Sequence, residues 1–293
     1  MPKLISIGRI IDESWELYRA RFSEFMSVAS WLLLLAILYI ISLALYPSAS
    51  TLWFSNDLST SENIGILLFA FTNYVVAPLL GLWVLIALSR LTQGYLQGKN
   101  VGIKLAHEET KPLFFPTLVV SLMVAFLLVV AMLIGFGPPI ILASLGALFN
   151  NVTLIGIGDM LLVIGIFVAL ILSFKWMIEY YFSPIATVLD GIQGKKALIQ
   201  SRKLIQGRFW RTFLRLVVPK LVFIIFGVFI MFIVATVTEV LLGVASGLSL
   251  DLHLRIKTLV ESIFPILIAV LINPLIINAD ILLYRALKGE DVL

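Results

Sequence analysis

Six runs of about 20 predominantly apolar residues dominate this chain of 293 residues. Each is long enough, as a helix, to cross a hydrocarbon core of about 30 Å. The expected fold class is therefore all-α, a polytopic membrane helical bundle of about six transmembrane helices. Charge agrees: only 13% of residues are Asp, Glu, Lys or Arg against 61% hydrophobic, where a soluble domain carries about a quarter charged.

The runs place the first span at about Phe25 to Tyr46 and the second at Ile64 to about Leu91. The third covers Phe115 to about Phe136, with Gly137, Pro138 and Pro139 as an expected break. The fourth covers about Met160 to Phe182, the fifth Phe213 to Leu242 and the sixth Ser262 to Tyr284. The charged segment before the first run, from Arg9 to Arg21, is longer and more mixed in sign than the basic start of a signal peptide.

Connecting segments alternate in charge. Segments 47–63 and 140–159 hold no Lys or Arg, whereas 190–220 holds Lys195, Lys196, Arg202, Lys203, Arg208, Arg211, Arg215 and Lys220. Lys99, Lys104 and Lys111 mark segment 92–112, and Arg285 and Lys288 mark the tail. Of 21 basic residues, Arg255 and Lys257 fall in a loop on the other side, and Lys175 falls within a span. The positive-inside rule then predicts a cell (inner, cytoplasmic) membrane protein with both N- and C-termini cytoplasmic.

The segments before the odd spans read as cytoplasmic amphipathic helices able to lie at a lipid interface. In the first, Leu4, Ile7, Ile11, Ser14, Tyr18 and Phe22 form the apolar stripe; in the last, Ala197, Leu198, Ser201, Leu204, Ile205 and Phe209 do. The middle segment, Val101 to Leu113, is spoiled by Gly102 and Pro112. Ser14, Leu17, Arg21 and Phe22 align with Ser201, Leu204, Arg208 and Phe209. Gly98, Gly194 and Gly289 follow the even spans at intervals of 96 and 95 residues. The expectation is one integral membrane domain, 1–293, with a three-fold internal repeat of helix plus two-span hairpin: units of about 1–98, 99–194 and 195–289. Such repeats are parallel, because a two-span unit returns to its starting side.

The stretch Ser183-Pro-Ile-Ala-Thr-Val-Leu-Asp190-Gly191, followed by Lys196 to Trp210, and the ending Leu282 to Glu290 carry a family resemblance. They resemble the six-span membrane domain attached to some glycerophosphoryl diester phosphodiesterases, which also occurs alone in prokaryotic membrane proteins. Arg285 and Ala286 stand where that family often has Tyr-Asp. The resemblance implies a stand-alone membrane domain. It implies no catalytic residue, since the phosphodiesterase activity belongs to a separate soluble domain.

Cysteine is absent, which excludes disulfides, zinc–thiolate sites and thiol nucleophiles. His107-Glu108-Glu109-Thr110-Lys111 lacks the second His of a zinc-binding His-Glu-x-x-His helix and reads as a solvated face, as does His253 in an outer loop. Asn273-Pro274 is a single Asn-Pro and reads as a kink. No metal, cofactor or catalytic residue is expected, and basic residues beside spans argue against nucleic acid.

Lys175, Glu179 and Asp280 are ionisable residues inside spans, so they should face protein, water or a partner. Lys175 and Glu179 share a helix face, either as a proton or ion relay or, more plainly, as a structural ion pair. Seven cations, Lys195, Lys196, Arg202, Lys203, Arg208, Arg211 and Arg215, are candidates to contact anionic lipid headgroups. The leading expectation is a non-enzymatic membrane module whose partners are the bilayer and its anionic headgroups, or proteins scaffolded at the cytoplasmic face. The alternative is a transporter or channel. Mitochondrial carriers also hold three repeats in six spans, but their amphipathic helix follows the odd span and their Pro-x-acid-x-x-base signature is missing here.

Overall fold

Every regular element among the described residues is helical. The computed structural model describes residues 4–48, 51–52, 57–99, 102–244, 247 and 249–290. The helices are α1 (Ile7–Ala20), α2 (Phe22–Ala29), a 3-10 turn (Ser30–Leu32), α3 (Leu33–Leu45), α4 (Thr60–Phe71), a π-helical segment (Thr72–Val76), α5 (Ala77–Leu96), α6 (Ile103–Leu148), α7 (Val152–Glu179), α8 (Ser183–Asp190), α9 (Lys195–Ile205), α10 (Phe209–Val244) and α11 (Leu250–Lys288). Among the described residues six stretches are long and apolar enough to cross a membrane: Phe22–Leu45, Thr60–Leu96, Ile103–Leu148, Val152–Asp190, Phe209–Gly243 and Leu250–Lys288.

The helices run well past the apolar cores read from the sequence, and four expectations change. The third span does not break at Gly137, Pro138 and Pro139; α6 continues through them, as it does through Pro112 and Pro116. Each proline deletes one backbone bond, to the carbonyl four residues earlier, which a tightly packed neighbouring helix can tolerate. For the same reason the expected interfacial helix is not separate: Val101 lies outside the described residues, and Ile103 to Leu113 is the start of α6. Segment 140–159 is helical except for a turn at 149–151. There Asn150 takes the left-handed conformation at φ 48°, and the Asn151 side chain accepts from the Leu154 N–H to cap α7. His253 likewise lies in α11, not in a loop.

The chain forms two compact units. One is Met1–Lys111 with Arg215–Leu293; the other is Pro112–Leu214. In the first, α11 is the central helix, with Ile281, Leu282, Leu283 and Tyr284 fully buried, and α1, α2, α3 and α5 pack against it. The buried face of α1 is Ile10, Ser14 and Tyr18, one residue round from the stripe expected at Ile11, and Phe22 is exposed. The cause is local: the chain leaves helical geometry at Arg21 (φ −130°, ψ 34°), so Phe22 starts a new helix instead of extending the face. Burial raises the Tyr18 phenol above its ordinary value, so it stays neutral.

In the second unit the hairpin of α6 and α7 is held by small residues. A Cβ placed on Gly165 would lie 2.2 Å from the Gly135 carbonyl oxygen, and one on Gly135 would lie 2.4 Å from the Gly165 carbonyl oxygen. Such contacts let backbones approach where lipid gives no hydrophobic drive between helices. The buried face of α9 is Ala197, Leu198, Ser201 and Ile205, packed on α7 and α8.

Candidate functional site

The second unit carries a groove of about 820 Å³ between α6 and α9. Its apolar wall is Val119, Leu122, Met123, Phe126 and Leu127 of α6, with Leu198 and Ile199 of α9. Its polar edge is Lys195, Arg202, Lys203, Gln206 and Tyr180. The edge follows from helical periodicity. Ala197, Leu198, Ser201 and Ile205 face protein, so Lys195, Lys196, Arg202 and Lys203 are left exposed.

Two devices hold α9 in place. Gly191, at φ 68°, ends α8, and Gly194, at φ 57° and ψ −139°, starts α9 in a backbone region open essentially to glycine. The buried Ser201 hydroxyl then donates to the Glu179 carbonyl at 2.7 Å and accepts from the Phe182 N–H at 3.1 Å. It thus serves backbone groups left over where α7 ends. The Glu179 carboxylate lies 3.5 Å from Arg202 and 3.9 Å from Lys175. The intramembrane pair read from the sequence is therefore a triad that reaches the edge of the groove.

The seven candidate cations do not form one stripe. Lys195, Arg202 and Lys203 line the groove, while Lys196 is exposed beside them. Arg208 is half-buried just before α10, and Arg211 is exposed on it. Arg215 belongs to the other unit, where its Nε donates to the Ile5 carbonyl at 2.7 Å. The aromatics that interleave with them, Phe209, Trp210 and Phe213, gather on Phe174 of α7 at centroid distances of 6.0, 6.3 and 5.2 Å.

Asp280 lies in the first unit, so it shares no compact unit with Lys175 and Glu179. Its Oδ1 is 2.9 Å from the Lys220 Nζ, with side-chain exposures of 7% and 17%. Sequence reasoning missed this partner because Lys220 was counted with the basic segment before it. Depth would have found it. Lys220 lies 11 residues into α10 and Asp280 8 residues from the end of α11, about 16 and 12 Å from adjoining ends of antiparallel helices. Nearby, Thr92 donates to the Asn278 carboxamide at 2.7 Å, and Asn278 reaches the Ser14 carbonyl at 3.5 Å, which ties α1 to two spans.

His107 is not on a solvated face. Its Nδ1 accepts from the Trp83 indole at 3.3 Å, and its ring packs on Trp31 and Trp83. Arg255 donates to the Leu43 and Tyr46 carbonyls, each at 2.9 Å, and so caps the end of α3.

Together the helices define a polytopic membrane protein built only of helix among its described residues. No family model, curated protein or solved structure matches the chain.

Proposed function

We propose that this chain is a non-enzymatic membrane module that seats an anionic phospholipid in the groove of α6 and α9, at the cytoplasmic face of a cell membrane. The carrying observation is the groove, in which an apolar wall suited to an acyl chain faces three cations suited to phosphate. The resemblance to a stand-alone phosphodiesterase membrane domain agrees with a module that performs no chemistry of its own.

Charge asymmetry supports the cytoplasmic placement of both termini, and the two exceptions have structural roles: Arg255 caps α3 and Lys257 pairs with Glu239. The threefold repeat is part of the same proposal. Gly98 and Gly289 end α5 and α11 alike, each followed by an N–H bonded five residues back, Lys99 to Gly94 and Glu290 to Arg285. At the fourth span that terminal role falls to Gly191, three residues before the Gly194 of the sequence register. Ser14, Thr110 and Ser201 are fully buried hydroxyls near the starts of the three units.

The lipid reading is tested on the full chain in zwitterionic nanodiscs, titrated with phosphatidylglycerol and followed by native mass spectrometry. Combining Lys195→Gln, Arg202→Gln and Lys203→Gln removes three charges at about 1 kcal/mol each, so phosphatidylglycerol binding should weaken by roughly 100-fold. Phosphatidylcholine binding should hardly change. An unaltered preference for the anionic lipid in the triple variant rejects the site. For orientation, reporters fused after Gly98, Gly194 and Leu293 should all behave as cytoplasmic, and one periplasm-active fusion among them overturns the topology. A transporter or channel for a small molecule or lipid is the alternative, favoured by a polar cleft within the other unit.

A further inference from the structure

The first unit contains a second cavity, of about 440 Å³, between the first, second and sixth spans. We infer that it is a binding site for a small organic cation with N–H donors, a primary alkylammonium in chemical class. It differs from the proposed lipid groove in unit and in charge.

The inference starts from polar groups that the protein leaves unspent. Glu261, Ser262 and Asn273 of α11 all line the cavity. Among the described residues none hydrogen-bonds to these three side chains or forms an ion pair with Glu261. Lys257, one turn before Glu261, is attracted by its carboxylate but places its ammonium on Glu239 and does not line the cavity. Polar side chains in an apolar span are costly unless they face a partner, water or a ligand. Glu261 is exposed and Ser262 and Asn273 are half-buried, so one wall offers a ligand a carboxylate, a hydroxyl and a carboxamide.

The backbone adds to it. Pro265, also in the wall, has no N–H to give the Glu261 carbonyl, so carboxylate and carbonyl of the same residue are both available as acceptors. Opposite them, Tyr39 donates to the Asn73 Oδ1 at 2.7 Å, and the Asn73 amide donates to the Phe69 carbonyl at 2.9 Å. Asn73 belongs to the π-helical segment Thr72–Val76, and single π turns inside α-helices gather at functional sites.

Charge and aromaticity decide the ligand. No Lys or Arg lines the cavity, and its one formal charge is the Glu261 carboxylate. Tyr39 and Phe69 stand with centroids 5.5 Å apart in the wall, and aromatic faces beside an acid are the recurring receptor for ammonium groups. An anion would be repelled by the Glu261 carboxylate, and an apolar ligand would leave the polar wall unmatched. The volume is that of a small-molecule site. Glu261 is also reachable: it sits 11 residues, about 16 Å, from the end of α11 opposite Lys288.

The test uses the full chain in neutral nanodiscs at neutral pH with n-propylammonium as probe, read by saturation-transfer NMR and thermal shift. Saturable binding and a raised unfolding midpoint are expected. 1-Propanol, equal in size and uncharged, should give neither effect. Glu261→Gln should weaken propylammonium at least about tenfold, the loss of one charged contact, whereas Glu261→Asp should retain part of the affinity. Glu108→Gln, on α6 and outside the cavity, should bind as wild type. Absence of propylammonium binding to the wild-type protein overturns the inference. So does equal binding of 1-propanol, or full affinity in a Glu261→Gln protein whose helical content is unchanged. The propanol comparison uses the wild-type chain alone, so a folding defect in a variant does not blunt it.

Discussion

Asp280→Ala should lower the unfolding free energy of the detergent-solubilised protein by about 3–5 kcal/mol, the cost of removing one partner from a buried ion pair. Asp280 is 7% and Lys220 17% exposed at the side chain, and their charged atoms are 2.9 Å apart. Without the carboxylate, the Lys220 ammonium loses its ionic partner at 2.9 Å while its side chain stays largely out of water. Asp280→Asn keeps the shape and an acceptor, so it should cost less than Asp280→Ala. The decisive variant is the double one. Lys220→Met with Asp280→Leu replaces both charges by apolar groups of similar volume, and should recover most of the loss, because a buried pair is close to neutral against a well-packed apolar alternative. Urea or thermal unfolding of the four proteins makes the comparison. An Asp280→Ala protein within about 1 kcal/mol of wild type would mean that water or lipid headgroups solvate Lys220 as well as Asp280 does.

How much of this was legible in the sequence depends on length scale. The six apolar runs, the basic segment before the fifth span and the exceptional status of Asp280 could be read directly, because hydropathy and charge are sums over many residues. The helix ends could not. Pro138 and Pro139 look like a stop by the rules of aqueous helices, yet α6 continues to Leu148; water is not there to take the freed carbonyls, and a neighbouring helix is. Pairings distant in sequence were also invisible. Lys220 finds Asp280, and Arg255 finds the Leu43 and Tyr46 carbonyls, only once antiparallel spans are set at matching depth. The groove between α6 and α9 was half legible. Periodicity placed Lys195, Arg202 and Lys203 on the outward face of α9, but the opposing wall, Val119 to Leu127, gave no sign of itself within a uniformly apolar run. Glu261 was missed because it falls one residue before the apolar stretch that marked the sixth span.

Gly165→Ala and Gly156→Ala should change stability in opposite directions, although the two glycines lie nine residues apart on α7. A Cβ at Gly156 meets nothing within 4 Å, so alanine there should be neutral or stabilising by up to about 1 kcal/mol through helix propensity. A Cβ at Gly165 would stand 2.2 Å from the Gly135 carbonyl oxygen. That oxygen has lost its own helical donor, because the residue four positions later is Pro139. The Gly165 Cα–H points at the vacated acceptor, and because a Cβ on Gly135 would likewise lie 2.4 Å from the Gly165 carbonyl oxygen, the two glycines form a pair of weak backbone contacts. Alanine at 165 must push α6 and α7 apart, since backbone on both sides cannot rotate away as a side chain could. The separation breaks the contacts of Gly135, Ala169 and Pro139 at once, and the cost should reach the upper end of the roughly 1–3 kcal/mol typical of overpacked cores. Gly165→Leu should exceed it and expose the hairpin to limited proteolysis at 149–151, the turn between the helices. The measurement is the unfolding midpoint of each purified variant in one detergent. If Gly165→Ala unfolds with Gly156→Ala and wild type, then the two spans are not held by this glycine crossing, and Pro139 needs another partner for the carbonyl it frees.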